Sequence, residues 1–150
     1  MKTLLIFMVI GTMLFGKQDK ADHTKEIIGN WTLNDGWFPK QDLKFKKNRR
    51  DDDYMTFKFN PDGVIEYLHK SQGNCPVGEF TLKDGNWKIE DSKLTIQIRG
   101  LKISDYWYWY IIKYNIRKID NQVLELKVAE IIKEREISPT LSWTDLIKEN

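Results

Sequence analysis

The chain has 150 residues, with 24 basic and 22 acidic side chains and a formal net charge of +2. A charge so near zero gives no whole-chain field for nucleic acid or an anionic membrane, and a single cysteine excludes an internal disulfide. The length suits one domain with one core, and aromatics at 13% supply large apolar side chains for it.

Met1-Lys2-Thr3 carries positive charge, Leu4 to Phe15 is uncharged and mostly apolar, and small Gly16 precedes the polar Lys17-Gln18-Asp19-Lys20. This is the pattern of a secretory signal peptide over residues 1–16, with cleavage near Gly16. The apolar run is shorter than the roughly 20 residues needed to span a bilayer, and no cysteine ends it to accept a lipid. The expectation is a soluble, secreted or periplasmic protein that begins near Lys17, with a polar leader over 17–26 and a domain over 27–150.

From Ile27 onward the apolar residues recur with period two, broken at short intervals by turn residues. This is the signature of an all-β fold. After a first strand, the connection from Asp35 to Asp53 mixes Trp37, Phe38, Leu43 and Phe45 with Lys40, Lys44, Lys46, Lys47, Arg49 and Arg50. Met55, Phe57 and Phe59 then share one face, and Asn60-Pro61-Asp62-Gly63 turns the chain into a partner strand over Val64–Lys70 that carries Tyr67. Ser71 to Pro76 reads as a loop. Further strands carry Gly78, Phe80 and Leu82, then Trp87 and Ile89, then Leu94, Ile96 and Ile98, with turns at Lys83-Asp84-Gly85 and Asp91-Ser92. A long aromatic strand runs from Tyr106 to Ile119, and Asp120-Asn121 turns into a strand with Leu124, Leu126 and Val128. A last strand over Ile131–Ile137 has no readable parity. Ser138-Pro139 is expected to cap a short helix over Thr140–Lys148 that turns Leu141, Leu146 and Ile147 to the barrel.

Short turns imply that successive strands pair in order. Eight or nine such strands avoid open edges by closing into an antiparallel up-and-down barrel, with an open or sandwiched sheet as the other arrangement the pattern allows. On the aromatic strand, Lys113, Asn115 and Arg117 share parity with Trp107 and Trp109, which places those tryptophans outside and Tyr108, Tyr110 and Tyr114 inside. Exposed tryptophans need a cover, either the C-terminal segment or a protein partner at Trp107 and Trp109.

Ile28-Gly29-Asn30-Trp31, followed by Thr32-Leu33, resembles the Gly-x-Trp motif that opens the lipocalin barrel. The series Phe57-Lys58-Phe59-Asn60-Pro61-Asp62-Gly63, Gly85-Asn86-Trp87-Lys88-Ile89 and Leu94-Thr95-Ile96 is similar to small exported bacterial lipocalin-like domains, from about Ile27 to Val128. The resemblance implies a cup-shaped barrel for a small apolar molecule, with Trp31 packed across the closed end. It also implies a basic residue from a late strand stacked over Trp31, for which Arg117 and Arg135 are the candidates.

No catalytic constellation competes with this reading. His69 and Cys75 lie at a strand end and in a loop, without the glycine-framed turn of a nucleophile. Asp51-Asp52-Asp53 lacks the spacing of a calcium loop, and no zinc-ligand spacing is present. The sequence therefore points to a non-enzymatic protein, expected to be a monomer, with no metal, cofactor or nucleic acid. Its ligand would be small and apolar, or partly apolar with an anionic head. The expected ligand contacts are Trp37, Phe38, Lys44 and Lys46 in the long connection, Phe57 and Tyr67 on the first hairpin, and Tyr108, Tyr110 and Tyr114 inside the barrel. The alternative is a protein or envelope interaction module whose barrel is filled by its own side chains.

Overall fold

The computed structural model describes residues 23–48, 55–68, 81–103 and 106–149. The expected signal peptide, the Arg49–Asp53 run, His69, Cys75, Gly78 and Phe80 lie outside the described residues.

The chain begins with a short helix, α1 (Thr24–Ile27), and continues through β1 (Gly29–Asp35), β2 (Leu43–Asn48), β3 (Thr56–Phe59), β4 (Ile65–Leu68), β5 (Leu82–Glu90), β6 (Lys93–Ile103), β7 (Tyr106–Ile119) and β8 (Val123–Ile137) to the helix α2 (Trp143–Lys148). The strands form one antiparallel sheet in the order β4-β3-β1-β2-β8-β7-β6-β5. Its two end strands meet through a bridge between Val64 and Asn86 and a hydrogen bond from Trp87 N to Gly63 O of 2.7 Å. The result is a nearly closed eight-stranded barrel, with a seam between β4 and β5.

Several expectations about strand layout are corrected. The connection from Asp35 to Asp53 is not loop throughout, because Leu43–Asn48 forms β2 between β1 and β8. Leu43 and Phe45 are buried inside while Lys44 and Lys46 are exposed, the alternation that a barrel strand with one wet face requires. Pairing in chain order therefore fails between β2 and β3, where β1 intervenes. Lys83-Asp84-Gly85 is not a turn but part of β5, where the register shifts between Leu82 and Asp84 and Asp84 lies opposite Arg99. Asn60–Gly63 does reverse the chain: Gly63 N donates to Asn60 O at 3.1 Å and Gly63 has φ 83°.

The last two expected strands are one. β8 runs unbroken through residues 123–137, with register shifts opposite Ile111/Ile112 and Lys113/Tyr114. These shifts leave Ala129 and Ile132 without ladder partners, so each resets the alternation between faces.

The interior is apolar and densely occupied. Trp31, Phe45, Phe57, Leu94, Ile98, Ile112, Tyr114 and Leu124 are fully buried in one cluster. A second cluster lies outside the barrel, where Trp109, Ile111 and Ile137 pack under Leu146 of α2 with Trp107, Leu141 and Trp143 around them. The parity expected for β7 is therefore the one observed: Tyr110 and Tyr114 face in, and Trp109 faces out. The helix itself starts later than expected, at Trp143, with Ser142 Oγ accepting from Asp145 N at 3.1 Å. Leu146 and Leu141 pack on the barrel, but Ile147 points to solvent at 40% exposure.

Candidate functional site

The closed end is built around the Gly-x-Trp motif. Trp31 is fully buried and its Nε1 donates to Ile27 O of α1 at 2.6 Å, so the short helix stoppers the barrel. The cation over the ring is Lys47 of β2, with Nζ 4.2 Å from the Trp31 centroid and donating to Ile28 O at 2.6 Å. Partial burial lowers the Lys47 pKa, because the charged form loses hydration. Neither arginine takes that place. Arg135 lies 5.2 Å from the Trp109 ring and pairs with Glu149 at 2.8 Å, and Arg117 is exposed beside an outer groove with Asp35 and Lys127. Gly29 has φ +120°, and a Cβ there would stand 3.0 Å from Lys47 Nζ. The motif glycine thus supplies both a backbone conformation and room for the ammonium.

At the opposite end the segment between β1 and β2 folds into the barrel. Gly36, at φ +94°, closes the base of this loop where a Cβ would meet Asp42 O at 2.1 Å, and Asp42 Oδ1 accepts from Val128 N at 2.8 Å. Phe38 enters the core, 2% exposed and 4.4 Å from the Phe57 ring. The Tyr114 hydroxyl donates to Pro39 O. Burial, with Asp42 adding to it, pushes the Tyr114 phenol well above its ordinary range. Lys40 reaches across to Glu134 Oε1 at 2.7 Å, with its Nζ 5.9 Å from the Tyr110 ring. Trp37, by contrast, stays 62% exposed.

Beyond this loop the inner face of β5–β8 continues upward. Cross-strand partners share a face, so the register sets Leu82, Gly100, Tyr108 and Glu136 in one row and Gly85, Ile98, Tyr110 and Glu134 in the next. Tyr108 and Tyr110 stack at 6.0 Å and 17°. The Tyr108 hydroxyl is 3.4 Å from Glu136 Oε2. Ile131 is opposite Ile112, hence on the inner side, yet 44% exposed. Tyr110 has its pKa pushed up to about 12, first by burial and then by Glu134 and Tyr108. Between β4 and β5 a cleft of about 460 Å³ is lined by Tyr67, Leu68, Leu82, Lys83, Asp84 and Trp143, among others. The Tyr67 hydroxyl there donates to Met55 Sδ at 3.1 Å.

The structure thus brings Phe38, Phe57, Tyr67, Tyr108, Tyr110 and Tyr114 to the inner side and does not bring Lys44 or Lys46 with them. Lys44 pairs with Glu125 on the outer surface at 2.8 Å, which raises the lysine pKa and lowers that of the glutamate. Among the described residues, the cation that stands at the open end is Lys40. Sequence reasoning missed Leu82, Glu134 and Glu136. The two β8 shifts cancel beyond Ile132, so Glu134 and Glu136 keep the face of Leu124 and Leu126, while Glu130 turns outward and Ile131 takes the inner place of Ile132. Trp109 is fully buried under Leu146 of the C-terminal segment, with Lys133 and Arg135 over its ring, while Trp107 beside it stays half-buried.

A stoppered, nearly closed antiparallel barrel with a Gly-x-Trp motif at its closed end defines a lipocalin-like fold. The profile of a family described as "Lipocalin-like domain" matches residues 27–126, and the chain belongs to that family. No curated protein and no solved structure matches significantly. The family's fold is a ligand-binding one, and its members are typically non-enzymatic binding proteins.

Proposed function

We propose that the protein is an exported, non-catalytic carrier or sensor of a small, partly apolar molecule, held at the open end of the barrel. The observation that carries this reading is Ile131, an apolar side chain on the inner face that is nevertheless 44% exposed. Farther along the same inner wall Leu82 and Tyr108 are likewise only half-buried, so apolar surface stays open at the end bordered by the loop that carries Phe38. Such a concave apolar surface with a few polar groups is what small-molecule sites present. Export is supported by the charged start, apolar run and small residue of residues 1–16.

A second reading, a filled barrel acting as an interaction module, is favoured by the packing below Tyr110, where Phe57, Ile98, Ile112 and Leu124 are fully buried. Native mass spectrometry of the protein purified from its source separates the two. A retained small molecule, lost in a Leu82→Arg variant that still folds, supports the carrier. Repeated recovery of empty protein favours the module. N-terminal sequencing of the exported form tests the leader, and retention of Met1 there overturns it.

A further inference from the structure

We infer that the open end selects a cationic ligand, an alkyl ammonium whose head group takes the place held by Lys40 Nζ between Glu134 and Tyr110, with Glu136 beside it. The inference rests on the carrier reading and adds the chemistry of the head group.

Glu134 and Glu136 are two apart on β8 and therefore on one face, directly opposite Tyr110 and Tyr108. The tyrosine rings are stacked, so the two carboxylates flank an aromatic surface. A cation gains from both, by charge-assisted hydrogen bonding to the carboxylate and by attraction to the ring face. An anion meets repulsion from the same carboxylates.

The chain itself places an ammonium there. Lys40 Nζ is 2.7 Å from Glu134 Oε1 and 5.9 Å from the Tyr110 centroid. Among the described residues this is the one cation set against the inner-face carboxylates, since Lys133 and Arg135 lie at Trp109 on the outside. Among the described residues two carboxylates face one ammonium here, which leaves a surplus negative charge, and Glu136 accepts a long contact from the Tyr108 hydroxyl, at 3.4 Å. Phe38 lies two residues before Lys40 and is buried on Phe57. The loop thus presents an apolar group and an ammonium on one short tether, which is the composition of an alkyl ammonium. Lys40 is the intramolecular competitor of such a ligand.

The test uses the full chain at neutral pH and three eight-carbon probes, octylammonium, octanol and octanoate, with binding followed by calorimetry. The expected result is that the ammonium binds about tenfold more tightly than the other two, the size of a carboxylate contact combined with a ring contact. A Glu134→Gln/Glu136→Gln variant should lose that preference and keep its affinity for octanol, and Lys40→Gln should tighten the ammonium alone. Octanoate binding as well as the ammonium, or an unchanged ammonium affinity in the double variant, overturns the inference. Octanol binding without an ammonium preference overturns the head group and leaves the carrier reading standing, whereas no binding by any probe overturns both. If the double variant does not fold, Glu136→Gln alone carries the test, with an expected loss of about threefold.

Discussion

Lys47 stands over Trp31, its ammonium 4.2 Å from the ring centroid and directly beside Gly29. The three residues are coupled, because a side chain on Gly29 would meet Lys47 Nζ at 3.0 Å while its backbone is held at φ +120°. Gly29→Ala should therefore destabilise the domain by about 1–3 kcal/mol from backbone strain alone, with a further cost from displacing Lys47. In a Lys47→Ala background the second cost should vanish and the first remain. Urea unfolding of the four proteins checks this, and strictly additive effects would show that Gly29 and Lys47 do not interact.

Trp31→Ala should be the most damaging single change at the closed end. It removes a fully buried ring and orphans the Ile27 carbonyl that holds α1, with an expected loss of about 3–5 kcal/mol. The melting temperature checks it, and a stable variant whose only defect was weak ligand binding would place Trp31 in the site instead.

The Tyr114 hydroxyl is the tie between the barrel wall and the loop that carries Phe38. Tyr114→Phe leaves the Pro39 carbonyl without that donor in a buried position, at a cost of about 1–3 kcal/mol. The loss should be local. Amide exchange at Lys40 and Gln41, whose N–H groups bond to Trp37 O, is expected to accelerate while β6 and β7 stay protected. Equal acceleration throughout would mean that the hydroxyl supports the whole barrel rather than the loop.

Arg99 fastens the C-terminal segment. It is 4% exposed on the outer face of β6, pairs with Asp84, with Nε to Oδ2 at 2.6 Å, and donates to Leu141 O at 2.5 Å. Arg99→Met should release α2 and expose Trp109 and Trp143 to acrylamide, as should deletion of residues 140–150. Fluorescence quenching in folded, monomeric variants checks the outcome. Unchanged quenching after the deletion would mean that another element covers Trp109.

Long periodic elements were legible in the sequence. β7 has the expected bounds, Tyr106–Ile119, because the polar Lys113 and Asn115 fix which face is wet, and its alternation holds until the register shifts between Ile116 and Lys118. β2 was not legible, since its alternation spans four residues inside a lysine-rich run, where charge suggests a loop although the lysines are only the wet face of a strand. Asp84-Gly85 has turn composition, yet Asp84 pairs with Arg99 on the neighbouring strand, and that partner is fifteen residues away. At the candidate site the inward tyrosines followed from parity. Glu134 and Glu136 were not read, although the shifts at Ala129 and Ile132 cancel and leave both on the face of Leu124 and Leu126: the charged run from Lys133 to Glu136 shows no apolar alternation of its own, and the shifts that move Glu130 out and Ile131 in depend on the ladder opposite.

Buried tyrosines make the barrel sensitive to alkali. Tyr110 has its pKa pushed up to about 12 by burial and by Glu134 and Tyr108, and Tyr114 is raised further by burial and Asp42. In the unfolded chain both ionise near the ordinary 10.0. Between these values the folded protein holds protons that the unfolded chain has released, so stability falls as pH rises. The contribution is fully present below pH 10 and is lost progressively toward 12. Lysines in ion pairs, such as Lys44 with its raised pKa, produce a fall over a similar range, so the wild type alone does not assign the effect. A Tyr110→Phe/Tyr114→Phe variant does. It is expected to be less stable than the wild type near neutral pH, where it lacks the bond to Pro39, and to show a shallower decline above pH 10 in urea unfolding. Phenolate absorbance in the folded wild type should show a late-ionising component that this variant lacks. If the decline is equally steep in the variant, the alkaline instability comes from the lysine pairs, and the two phenols are not its source.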